Sequence, residues 1–455
     1  MLTKHYVPRA YMKRSEDTGI FSDLSQGALG LGYCVSWELW HTISTTTSLD
    51  TGKIFLANAL YYRKKGMKYR DCVKADLITL KIYEALIESG LGVVTSPQKQ
   101  YFSPVYGRYY ENLDLPTVRV EVHSELENKE KQQIKIRFSG NQLKAVETDS
   151  YLVILNQILS GIDQSLIALK PTVERGWLVY KLKDYSLNYR TNLASFTDDL
   201  PPFEVYLDGG HRWNLAKEFG GLITGASGTG KTSLLYGLIF QLLQKKNVQV
   251  FVADGKNDSL GAVMSEVLPK GRVVTGVQTA SLVHKLVEET DRRYKIMSQN
   301  RKKSPQMAFA SFEKFRFPLT VLFLDEQSAV MASLPNPKSK KQYQNDLLKL
   351  VQTSRAAGII PVVSMQQASA TSIGGSLGTA IREQLTGLKV VLGSLSTITT
   401  QDKQMVFGSS VEFPPMPFTG VGIGYLQTSK MPSPEPFQAP LLPKKSEALY
   451  KLLNR

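Results

Sequence analysis

The stretch that decides the fold is Gly221–Thr232, GLITGASGTGKT, followed directly by the run SLLYGLIFQLLQKK. Gly221–Thr224 is a short apolar run of the kind that forms a buried strand, and the run after Thr232 carries apolar residues at helical spacing. Between them lies G-x-x-x-x-G-K-[ST], Gly225 to Thr232, in the strand-loop-helix setting that gives this motif its meaning. Glycines let such a loop wrap closely, and its backbone N–H groups and the helix N-terminus face phosphate oxygens. Lys231 then reaches the β- and γ-phosphates of a nucleoside triphosphate and the Thr232 hydroxyl ligates magnesium. The cradle is Gly225, Ala226, Ser227, Gly228, Thr229, Gly230, Lys231, Thr232 and Ser233.

A hydrolysing site needs a second metal contact and a base for water. PLTVLFLDEQ provides both: Leu319–Leu324 reads as a buried strand that ends in Asp325 and Glu326. Asp325 is placed to hold Mg²⁺ and Glu326 to polarise the attacking water. An apolar strand with an acidic end is common, and its position after the P-loop is what gives it weight. The second carboxylate favours a hydrolase over a switch that merely binds ATP.

Outward from these motifs, 455 residues are too many for one typical domain. Changes of period and a Pro/Gly-rich connection predict an accessory domain over 1–115, a small α+β subdomain over 116–200 and a third unit opening at 201. In the first, CVKADLITLKIYEALIESG, with Val73, Leu77, Leu80, Ile82, Leu86 and Ile87, reads as an amphipathic helix closed by Gly90. The following LGVVTSPQKQYFSPVYGRYY reads as a hairpin, so the pair fits a helix-plus-wing DNA module or a plain packing unit. TVRVEVH and QQIKIRF alternate as half-buried strands do, DSYLVILNQILSGI is helical, WLVYKLKDY is extended, and DDLPPFEVYLDGG reads as a connection.

Lys and Arg number 55 against 40 Asp and Glu, for a net charge of +15. That field favours a polyanionic partner, either nucleic acid or an anionic membrane surface. Cys34 and Cys72 stand far apart, and His5, His41, His123, His211 and His284 match no ligand spacing, so neither a zinc site nor a disulfide framework is expected. The basic N-terminus is followed by no long apolar core, and the least polar early run, Leu24–Trp37, falls short of the roughly 20 residues a membrane helix needs.

From about Pro201 to Pro440 the chain resembles the FtsK/SpoIIIE group of the FtsK–HerA superfamily of DNA-pumping ATPases. The likeness rests on the P-loop, on VLFLDE, on VFVADGKND (Val250–Asp258), on LVEETDRRYKIM (Leu286–Met297) and on SRAAGIIPVVSMQQ (Ser354–Gln367). AIREQLTGLKVVLG (Ala380–Gly393), QMVFG (Gln404–Gly408) and the PEPFQAP tail are most similar to FtsK-like coupling proteins of Gram-positive conjugative elements. Three features depart from the pattern: no membrane-spanning stretch is evident, SMQQA lacks the Arg-Pro that FtsK carries after its glutamine, and no DNA-reading winged helix follows the motor.

The resemblance implies an α/β fold, a RecA-like P-loop ATPase motor domain over 201–440 with a central, mostly parallel sheet, preceded by smaller α+β domains and followed by a tail over 441–455. It implies ATP and Mg²⁺, a homo-oligomeric ring of six with DNA in its channel, and a relaxase and secretion-channel proteins as further partners. Gln366 would sense the γ-phosphate. Arg355 and Arg382 are the candidates for an arginine supplied to the neighbouring subunit's nucleotide. Asp254 and Lys256 stand just past a strand, either in nucleotide or subunit contact or in a solvated loop. Ser298–Gln306 and Asn336–Gln344 are the basic loops expected near DNA. The function implied is an ATP-dependent DNA translocase in transfer, partition or replication of a mobile element, drawn from a cytoplasmic pool and recruited to the membrane. The alternatives are a replication-type helicase, a packaging motor, or a nucleotide-gated adaptor.

Overall fold

The computed structural model describes residues 51–453 apart from 90–93, 104–107, 115, 138–149, 187–189, 197–198, 304–306, 308–309, 370–376, 395–396, 410, 412 and 444–445. The readings of Cys34, His5, His41 and the N-terminal segment lie outside the described residues. The chain forms two units, Met1–Leu187 and Asn188–Arg455. The sequence reading instead places its boundaries near 115, 200 and 440.

In the first unit, α1 (Thr51–Lys64) and α2 (Tyr69–Ser89) are followed by an antiparallel hairpin, β1 (Val94–Ser103) with β2 (Arg108–Asp114). Then come β3 (Thr117–Glu121), β4 (Gln133–Arg137), α3 (Ser150–Ile162), β5 (Leu166–Ala168), β6 (Thr172–Glu174) and β7 (Trp177–Asp184). The sheet order is β3-β4-β7-β5, with β6 also on β7. The buried stripe of α2 is Ala75, Ile78, Ile82 and Leu86, at the 3,4 spacing of one helix face. Val73 and Leu77 lie at its half-buried margin. These residues share one core with Val118, Val120, Ile134, Ile136, Tyr151 and Leu155, and the Tyr83 hydroxyl accepts the Val118 amide at 3.2 Å. That shared core runs across the boundary that the sequence reading places at 115.

The second unit begins with a hairpin, β8 (Glu204–Asp208) and β9 (His211–Asn214). The prolines and glycines around it read as a connection, but Val205, Leu207 and Trp213 are fully buried and make it part of the core. Next come β10 (Gly221–Gly225), α4 (Lys231–Leu243), β11 (Val248–Asp254), α5 (Ser259–Val267), β12 (Val273–Thr275), α6 (Gln278–Lys303) and β13 (Leu319–Asp325). They are followed by α7 (Gln327–Ser333), α8 (Pro337–Thr353), β14 (Ile359–Met365), α9 (Gly378–Gln384), β15 (Leu388–Leu392), α10 (Thr400–Phe407), β16 (Ile423–Thr428), β17 (Glu435–Gln438) and α11 (Ser446–Leu453).

Eight strands pair in the order β12-β11-β13-β14-β10-β15-β16-β17. The pairings from β12 to β15 are parallel, and β16 and β17 add antiparallel to one side. Helices cover both faces, so the central strands β10, β13 and β14 are buried on both sides and read as largely apolar runs. On β13, Val321 and Phe323 face the core under α4 and α5. Leu322 and Leu324 face the core under α6 and α8. This is the α/β, mostly parallel P-loop architecture expected.

The two basic runs are helical. Asn336 caps α8 by accepting the Ser339 amide at 2.8 Å, and Pro337 takes a first-turn position where its missing N–H costs nothing. Residues 298–303 continue α6; residues 304–306 lie outside the described residues. Charge alone carries no period, so a lysine-rich helix end reads as a loop. Among the described residues no helix is long and apolar enough to cross a membrane.

Candidate nucleotide site

Parallel strands deliver their C-terminal ends to one edge, where an open α/β sheet places its ligands. The P-loop leaves β10 there, Asp325 and Glu326 end β13, Asp254 ends β11 in register with Asp325, and Gln366 follows β14. The sheet order sets β14 between the P-loop strand and the acidic strand, so Gln366 emerges between the two motifs.

Ala226, Ser227 and Gly228 are exposed, leaving loop amides open to a ligand. Gly230 caps α4 in the left-handed region at φ 101°, and a Cβ there would stand 2.8 Å from Gly422 Cα. No residue larger than glycine fits both demands. Lys231 donates from Nζ to the carbonyls of Gly225 at 2.5 Å and Ala226 at 3.1 Å. Burial pushes its pKa below the ordinary lysine value, opposed by the charges of Glu326 and Asp325, with Lys256 adding to the depression.

Asp325 is shifted the other way. Burial raises its carboxyl above the usual range, the charges of Asp254 and Glu326 add to that, and Lys231 opposes it. A cation at this place would relieve the cost. On β14 the buried Ser364 hydroxyl lies within reach of the Asp325 carboxyl and partly offsets that rise, and Ser364 sits one position past the Leu324–Val363 pair. A carboxylate that is costly to ionise and the half-buried Thr232 form a hard-oxygen set suited to magnesium. With the open loop amides, the residues fit a magnesium nucleotide.

Glu326 is 5 % exposed and holds φ 53°, an unusual conformation for a glutamate. Its Oε2 accepts from Lys256 Nζ at 3.0 Å and its Oε1 from Ser328 Oγ at 2.9 Å. Asp254, 1 % exposed, lies in no solvated loop: its carboxylate accepts the amides of Lys256, Asp258 and Gly261 at 3.0, 2.8 and 2.9 Å. Gln366 lines a cleft of about 440 Å³ with Gly225, Ala226, Ser328, Thr399 and Asp402.

The two arginines lie elsewhere. Arg355 precedes β14, at the opposite edge of the sheet, with its guanidinium on the Lys217 carbonyl at 3.1 Å. Seven residues of strand, roughly 20 Å, separate it from Gln366. Arg382 donates to the Ala368 carbonyl at 3.1 Å. Ser328, Ser364 and Gly422 are absent from the sequence reading. Ser328 stands two residues past the acidic pair, a signal within reach; the other two come close through strand order alone.

Residues 203–370 match the FtsK/SpoIIIE family. The DNA translocase FtsK of Lactococcus lactis subsp. cremoris (strain MG1363) is 27% identical over 191 residues, covering 38% of this chain and 24% of that protein. That of Caldanaerobacter subterraneus subsp. tengcongensis (strain DSM 15242 / JCM 11007 / NBRC 100824 / MB4) is 29% identical over 158 residues, covering 34% and 22%. The solved monomer form of the pCW3 conjugation coupling protein TcpA with ATPγS aligns with a TM-score of 0.45 at 17% identity, covering 75% of this chain and 93% of that one. The chain spans about a quarter of the length of the curated relatives it matches. The matched segment contains the P-loop, the acidic strand end and the strand before Gln366, and over residues 203–370 this chain is similar to the P-loop ATPase domain of the FtsK/SpoIIIE family.

Proposed function

We propose that the chain is an ATP-hydrolysing motor that moves DNA. The observation that carries the reading is the placement of buried Glu326 directly after Asp325, one intervening strand from Lys231. A hydrolase needs a base at that place and a nucleotide switch does not. The FtsK/SpoIIIE match supports DNA as the polymer, and the net charge of +15 agrees with it.

In this reading the loop amides of residues 226–231 receive the phosphates, and Lys231 exchanges the carbonyls of Gly225 and Ala226 for phosphate oxygens. Thr232 and Asp325 would hold magnesium, which when bound would supply neutralisation of the phosphate charge. Glu326 accepts the proton as water oxygen bonds to that phosphorus and the bond to the ADP oxygen breaks. Gln366, between the motifs, senses the loss of the γ-phosphate. Arg355, far from its own P-loop, and Arg382 are the candidates to reach a neighbour's nucleotide in a ring, and a homohexamer with DNA in its channel is part of the proposal.

The finer proposal is service to a mobile element, as a coupling protein that meets a relaxase and a membrane channel. Its support is the run from Ala380 to Gly393 with the tail after Gln404. Exposed Lys338 and Lys341 on α8 and Lys302 on α6 are offered to the phosphate backbone.

The test is ATP turnover without DNA, with single-stranded DNA and with duplex DNA, beside Glu326→Gln. Stimulation by one form that weakens as salt rises is expected, together with a loss of about 10²–10⁴-fold in the variant. Turnover indifferent to DNA and equal to that of the variant would replace the motor with an adaptor.

A further inference from the structure

Glu326 is an uncommon place for a base. Its backbone is left-handed, a strained state for a non-glycine residue, and it begins α7 without capping it through its side chain. Such a conformation persists where surrounding contacts over-determine it. Those contacts come from the loop after β11. The Gly255 amide donates to the Asp325 carbonyl at 3.0 Å. A Cβ built on Gly255 would fall 2.5 Å from the Glu326 carbonyl oxygen, so the two loops meet backbone to backbone. Asp254 fixes the same loop through its three amide contacts, and the loop delivers Lys256, whose amine pairs with Glu326 Oε2 at 3.0 Å.

The pair is asymmetric. The Lys256 side chain is 44% exposed and that of Glu326 7%, so the lysine reaches in from solvent to a carboxylate that is otherwise enclosed. With Ser328 on the other oxygen, both carboxylate oxygens are anchored and the plane of the group is set. We propose that Lys256 is a positioning residue for Glu326: it fixes the direction of the carboxylate toward the attacking water without itself binding the nucleotide. The proposal rests on the reading of Glu326 as the base. Lys256 acts on turnover through the glutamate, whereas Lys231 acts on the phosphates.

The experiment compares Lys256→Met and Lys256→Arg with the parent chain and with Glu326→Gln. It measures kcat and KM for ATP, the affinity for a fluorescent ATP analogue, and the melting temperature. Lys256→Met is expected to lower kcat about 10–100-fold, the scale of a mispositioned proton acceptor. KM and analogue affinity should stay within about twofold, and Lys256→Arg should recover most of the lost turnover. A large rise in KM with kcat preserved would overturn the proposal, since Lys256 would then be a phosphate ligand. Unchanged or faster turnover would overturn it too, as would a fall in kcat matched by lost melting temperature and not recovered by arginine. Full turnover in Glu326→Gln would remove the underlying reading of the base, whatever Lys256→Met does.

Discussion

The amide of Gly422 donates to the carbonyl of Thr229 at 3.1 Å, tying the turn before β16 to the P-loop. Gly422 has φ 84°, and a Cβ on it would meet the Arg190 guanidinium at 2.7 Å. Gly420, at φ 95°, has open space around the same atom. Each alanine substitution incurs the left-handed cost of about 1–2 kcal/mol, but Gly422→Ala alone disturbs the brace. We expect Gly422→Ala to weaken binding of an ATP analogue about tenfold, or ~1.4 kcal/mol, and Gly420→Ala to leave it unchanged, by titration calorimetry.

Asp325→Asn should separate stability from function. A carboxyl whose pKa is raised by burial contributes stability below its ordinary titration range and loses it as pH rises through the shifted value. Removing the charge should raise the ligand-free melting temperature, more at pH 8 than at a pH below the ordinary carboxyl range. The same variant should lose the stabilisation conferred by magnesium-ATP, about 2.7 kcal/mol at a hundredfold excess over Kd. Thermal melts at both pH values, with and without nucleotide, read both effects.

Arg293, in the run DRRY, is 2 % exposed. It donates to Glu289, to the carbonyls of Pro318 and Ala357 and to Thr320 Oγ1, all within 3.0 Å. It fastens α6 to the edge of the sheet opposite the P-loop. Arg293→Ala should cost about 3–5 kcal/mol by stranding buried acceptors. Arg293→Lys should recover little, because one ammonium cannot span that fork of acceptors. Chemical denaturation midpoints of the two variants give the answer.

In the first unit the Tyr62 hydroxyl donates to Asp76 at 2.8 Å, and burial pushes the Asp76 carboxyl up to about 7. The folded state keeps a proton that the unfolded chain releases above its ordinary value near 4. That contribution is full below pH 4 and is lost as pH rises through 7, by up to about 4 kcal/mol. Asp76→Asn should stabilise this unit at pH 8 and change little at pH 4, read by denaturation of the full chain at the two pH values.

The site was legible where neighbours in sequence are neighbours in space. GASGTGKT and LFLDE carry their strand, loop and chemistry within a dozen residues, and Gln366 follows because its strand ends in the same direction. The contact between Lys256 and Glu326 spans 70 positions and exists because β11 and β13 pair in register, which composition does not encode. The β8–β9 hairpin was hidden by Pro201, Pro202, Gly209 and Gly210, which mark turns equally well in a linker and in a hairpin. The lysine-rich start of α8 was hidden because its period rests on Tyr343, at the end of the charged run, and on Leu347 and Leu350 beyond it. Helix α1 drew no reading, its apolar residues being interrupted by Asn58 and a tyrosine pair.

Leu441 accepts the Leu193 amide at 3.4 Å and donates to the Thr191 carbonyl at 2.9 Å, and Arg190 donates to the Ala439 carbonyl at 2.9 Å. The first and last segments of the second unit are therefore laid side by side. The Ala439 amide also donates to the Gly422 carbonyl at 2.6 Å, so a pull on this seam would reach the turn that braces the P-loop. In the motor proposed above, this stitching would pass tension on the chain to the nucleotide loop through a single glycine.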